Sequence, residues 1–83
     1  MKTYLKKETF GAITVIAFDN ENLASVDVFR GENLDIRKFD DLSEFEYAIN
    51  YQLSKGFAIT TRNEFNKNYI KFSKNLNQIA KEL

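Results

Sequence analysis

The sequence predicts an α+β fold: an antiparallel β-meander of three to four strands followed by two α-helices packed on one face of the sheet. Three observations carry this expectation. Residues 3–39 fall into short runs rich in β-branched and aromatic residues, separated by Gly, Asn and Asp. Beyond residue 40 the apolar spacing changes from two to between three and four. In the last stretch Phe65, Tyr69, Phe72, Leu76, Ile79 and Leu83 recur at steps of four and three, a stripe along one side of a helix.

Taken in order, residues 3–9 mix Tyr, Leu and Thr with Lys and Glu, the composition of an edge strand that discourages pairing with other chains. Gly11 marks a turn. Residues 12–18 (A-I-T-V-I-A-F) are apolar in both alternating sets, which places them in the middle of a sheet. Asp19-Asn20-Glu21-Asn22 is a polar turn. Residues 23–30 set Ala24, Val26 and Val28 on one face and Ser25, Asp27 and Phe29 on the other. After a turn at Gly31-Glu32-Asn33, residues 34–39 set Leu34 and Ile36 against Asp35, Arg37 and Phe39.

A helix over about 44–55 follows. Ser43 is the expected cap, with Glu46 at the third helical position and Leu42 stapled against Tyr47. Phe45, Ala48, Ile49 and Leu53 form its apolar face, and Gly56 stops it. Phe57-Ala58-Ile59 reads as a brief added strand or a segment tucked between helices. Thr61-Arg62-Asn63-Glu64 is a second capping box opening a helix over about 62–82. The 83 residues are expected to form a single domain, 1–83, without repeat or linker.

The composition narrows the chemistry. With neither His nor Cys, the chain lacks the usual proton shuttle near neutral pH, a thiolate nucleophile, and the common zinc, haem and iron–sulfur ligand sets. Its three glycines spell neither a P-loop nor a dinucleotide fingerprint. Asp40 and Asp41 read as helix-entry residues rather than an acid–base pair, and Asp19 with Glu21 lacks the ligand series of a calcium loop. No catalytic residue, cofactor or metal site is expected, and the chain is not expected to be an enzyme. The longest apolar run is far short of a membrane span and no signal-peptide pattern precedes it, so the expected location is cytoplasmic, with no membrane partner.

Twelve basic residues balance twelve acidic ones, but not evenly along the chain. Residues 62–83 carry five basic against two acidic residues, net +3; the remainder carries seven against ten, net −3. Two candidate interaction surfaces emerge. One is an aromatic sheet face turned away from the helices, with Phe29 and Phe39 beside Arg37, and with Tyr4, Phe18 and Lys6 joining it in one register. The other is a lysine stripe on the last helix, Lys67, Lys71 and Lys74 with Lys81 beyond. Rings filling the rim of a core and lysines solvating an amphipathic helix are the plainer explanations of the same residues.

The functional expectation is a small non-catalytic protein-binding module. It would be an inhibitor or accessory factor of the kind phages or mobile elements carry, with a protein partner or a second copy of itself. The alternative is a nucleic-acid binder using the lysine stripe or the aromatic face.

Overall fold

A computed structural model of the chain describes residues 2–82, with side chains described for residues 2–74. The elements run β1 (Lys2–Thr9), β2 (Ala12–Asp19), β3 (Ala24–Phe29), β4 (Asn33–Lys38), α1 (Leu42–Ser54), β5 (Ala58–Thr60) and α2 (Arg62–Glu82). The first four strands form an antiparallel meander, and β5 adds antiparallel to β1, giving the sheet order β4-β3-β2-β1-β5. The α+β class and the meander are as the sequence predicts.

β1 is therefore not an edge. Tyr4, Leu5 and Lys6 face Thr60, Ile59 and Ala58, so the short apolar link after α1 is the added strand. β2 takes the centre of the sheet, where both of its apolar sets can be covered.

The expected placement of both helices on one face needs correction: they take opposite faces. Leu5, Ile16 and Phe18 form one core with Phe45 of α1, and Leu23, Phe39, Ala48, Ile49 and Phe57 pack around it. Val15 and Val28 form a second core with Phe65 of α2, flanked by Tyr4, Ile13, Ala17, Val26 and Phe72. Because side chains alternate along a strand, Val15 and Ile16 cannot share a face. The result is a three-layer arrangement of helix, sheet and helix.

Local sequence explains the element ends. The β1–β2 turn places Phe10 (φ 52) and Gly11 (φ 79) in consecutive left-handed conformations, the type I′ combination whose twist suits a two-residue hairpin. α1 begins two residues earlier than expected, and its cap is Asp41 rather than Ser43. The Asp41 carboxylate accepts from the Glu44 amide (2.9 Å), and the Glu44 carboxylate reaches back to accept from the Asp40 amide (3.2 Å). Three acidic residues in a row of five offered several cap registers, and the one that puts Phe45 on the sheet prevails.

α1 ends as expected at Gly56 (φ 100). The Phe57 amide donates to the Gln52 carbonyl and the Gly56 amide to the Leu53 carbonyl, a Schellman closure. α1 has no basic residue in its last turn. Instead Lys7 of β1 donates to the Lys55 carbonyl at 2.7 Å, placing a cation at the negative end of the helix. α2 opens on the expected box, with the Glu64 amide donating to the Thr61 hydroxyl oxygen.

The buried side of α2 is Phe65, Asn68 and, in part, Phe72, while Tyr69 lies at the rim and stacks on Phe65. Asn68 tolerates burial because its side-chain amide donates to the Glu64 carbonyl one turn earlier. The expected continuation of the stripe through Leu76, Ile79 and Leu83, and the fourth lysine, Lys81, lie outside the residues whose side chains are described.

Candidate functional site

α1 lies over the β1–β2 side of its sheet face and leaves ground open to either side. The larger opening, about 660 Å³, runs between β4 and α1 and is lined by Arg37, Phe39, Glu44, Tyr47, Ala48 and Tyr51, among others. Phe39 forms its floor, held edge-on against Phe45 with ring centroids 5.8 Å apart. The Arg37 guanidinium lies over the Phe39 ring at 5.6 Å. Tyr47 and Tyr51, one turn apart on α1, stack with centroids 6.3 Å apart and form the far wall. Tyr47 is 70% exposed. The groove thus sets three rings beside the Arg37 and Lys38 cations and the Glu44 carboxylate; aromatic rings and Arg are the residues enriched at protein interfaces.

A second opening on the same face, about 370 Å³, lies at the far end of β3 and is lined by Lys7, Thr14, Asp27, Phe29, Arg30 and Phe57, among others. Its unusual member is Asp27. One carboxylate oxygen is buried without a hydrogen-bond partner. Burial pushes its pKa up, and the Asp35 charge directly across the strand pair pushes the same way, while Arg37 and the Ser25 hydroxyl pull it down without cancelling. Lys7 also lies over the Phe57 ring here, at 5.8 Å.

The residues singled out from sequence separate into three places. Arg37 and Phe39 share the large groove; Phe29 faces the smaller one, at the opposite end of the β3–β4 hairpin, since Phe29 pairs with Asn33 and Arg37 with Ser25. The open aromatic platform does not form. Phe18 is buried in the α1 core, and Tyr4 lies on the other face, against Phe65 with centroids 5.7 Å apart. Lys6 is on that other face too, paired with Glu64 at 3.2 Å. Lys67, Lys71 and Lys74 are all exposed and line a shallow depression with Ile70, about 350 Å³, with the Lys71 stem beside Gly31.

Sequence reasoning missed Tyr47 and Tyr51 as site residues. Their signal was an i, i+4 aromatic pair set off from the Phe45–Ile49 stripe. Asp19, weighed as a cation ligand, instead closes its turn: one carboxylate oxygen accepts from the Glu21 amide and the other from the Asn22 side chain. The Asn22 bond foremost holds its pKa below the usual value. Among the described residues, no three acidic side chains converge as a metal-binding group, and no helix is long and apolar enough to cross a membrane. Comparison with family models, with curated proteins and with solved structures finds no match.

Proposed function

We propose that the chain is a small protein-binding module, an inhibitor or accessory factor, whose contact surface is the groove between α1 and β4. The observation that carries this reading is the groove's make-up: stacked Tyr47 and Tyr51 facing Arg37 over Phe39, on a face that α1 covers only in part. The Phe39 ring, held against Phe45, loses little freedom on binding, and the Arg37 edge can meet a carboxylate or main-chain carbonyl. A partner segment that seats an apolar side chain on Phe39 and an acceptor on Arg37 fits this geometry.

The test is affinity capture in the native host with the wild-type chain and with a Tyr47→Lys, Tyr51→Ala variant, both shown to be folded by circular dichroism. A protein retained by the wild type and lost by the variant supports the reading. Partners indifferent to the variant contradict it.

A second reading, nucleic-acid binding, draws on Lys67, Lys71 and Lys74 meeting at one depression. It requires binding to DNA or RNA at low salt that weakens steeply as salt rises and drops on Lys71→Gln. Absence of binding at low salt eliminates it.

A further inference from the structure

The two edges of the sheet are unequal. β5 spans three residues, a short edge of the kind that blunts pairing. β4 spans six, and every residue in it is exposed. It contains no proline, and Leu34 (36% exposed) and Ile36 (65%) show apolar side chains on the α2 face.

The hydrogen-bond phase of β4 follows from one contact. The Phe39 amide donates to the Leu23 carbonyl at 2.9 Å. Antiparallel pairs alternate between bonded and non-bonded, so Arg37, Asp35 and Asn33 turn their main-chain groups toward β3. Lys38, Ile36 and Leu34 turn theirs outward. Among the described residues nothing covers that outward row.

Charge complementarity then fits a second copy to this row and favours one register. A second β4 can pair antiparallel with the first only by bringing outward residues opposite outward residues. A register that sets Leu34 against Ile36 puts Asp35 against Asp35. One that sets Ile36 against Lys38 puts Arg37 against Arg37. Centring the pair on Ile36 instead places Asp35 opposite Arg37 twice, in the non-bonded positions where side chains approach closest. It also sets Ile36 on Ile36 and Leu34 beside the Lys38 stem, with about six new main-chain hydrogen bonds. The same pairing relieves a like-charge contact within one chain, because Asp35 otherwise faces Asp27 directly.

We propose that a second copy of this chain pairs with the β4 edge about a two-fold axis at Ile36, joining two five-stranded sheets into one. The inference goes beyond the groove reading: it uses the β4 main chain with the Asp35 and Arg37 charges, and Arg37 is the one residue it shares with the groove. Its geometry sets both α1–β4 grooves on the same side of the seam.

The test is the mass in solution of the full chain across a concentration series. The wild type is expected to approach about twice the 9.7 kDa chain mass. Ile36→Lys and Asp35→Arg each weaken association by about tenfold or more, and Asp35→Arg combined with Arg37→Asp restores it. Phe29→Asp leaves it unchanged. In the wild type, the Leu34, Ile36 and Lys38 amides gain protection from hydrogen exchange as concentration rises, a readout that needs no variant. A strict monomer at high concentration overturns the proposal. So does a dimer whose Leu34, Ile36 and Lys38 amides exchange freely, or one lost on Phe29→Asp but kept in Ile36→Lys.

Discussion

Val15 and Ile16 are consecutive in β2 and both are buried, yet they belong to different cores, Val15 with Phe65 of α2 and Ile16 with Phe45 of α1. A strand that is apolar in both alternating sets requires cover on both faces, and this chain spends one helix on each. The structural consequence is direct: α1 alone serves its face, cannot cover all of it, and leaves the grooves beside it.

Phe45 and Phe65 therefore act independently. Phe45→Leu and Phe65→Leu are each expected to cost about 1–2 kcal/mol of unfolding free energy. The double variant should lose the sum to within about 0.5 kcal/mol, because the sheet separates the two sites. Chemical denaturation of the four proteins measures this.

At the start of α1, Asp41→Ala should cost about 1 kcal/mol, whereas Ser43→Ala should be close to neutral, since the cap bond comes from Asp41. The difference between the two midpoints in urea reads the cap register directly.

Lys7→Met removes the cation and donor at the Lys55 carbonyl while keeping most of the stem over Phe57. The expected cost is about 1 kcal/mol, with the largest increase in amide exchange at the end of α1.

Asp27 sets a pH dependence of unusual sign. Its folded-state pKa is raised above the usual 3.8, so the folded chain holds this proton more tightly than the unfolded one. Stability is lost from this group as pH rises from about the ordinary value through the folded value. Asp27→Asn should accordingly raise the melting temperature at neutral pH, with the gain shrinking as pH falls toward 3.8. Asp19, whose pKa is lowered, acts in the opposite sense: its turn is intact above the ordinary value and weakens as pH falls through the folded one. Melting curves of wild type and Asp27→Asn between pH 3 and 8 separate the two (ordinary carboxylate range).

Much of the fold was legible in the sequence because period and turn chemistry are local. The alternation in residues 24–29 and 33–38, the Gly56 stop and the Thr61–Glu64 box all appear where their residues place them. Which face each helix covers is not local, and its one local trace is that residues 12–18 are apolar on both sides. Burial of Asn68 in place of Tyr69 was not legible, since a helical stripe gives no reason to bury an amide until its bond to the Glu64 carbonyl is seen. The groove was half legible. Arg37 and Phe39 follow from strand parity, but Tyr47 and Tyr51 join them only through the docking angle of α1 on the sheet.

The proposed role of the α1–β4 groove is to receive a protein partner. Its most direct measurement is photo-crosslinking in the native host, with a photoreactive phenylalanine analogue placed at position 47 or 51, and at 66 on the exposed side of α2 as control. A groove that receives a partner gives a shared cross-linked protein from positions 47 and 51 and none in common with position 66. No cross-link from the groove, or the same products from both sides of the molecule, would contradict it.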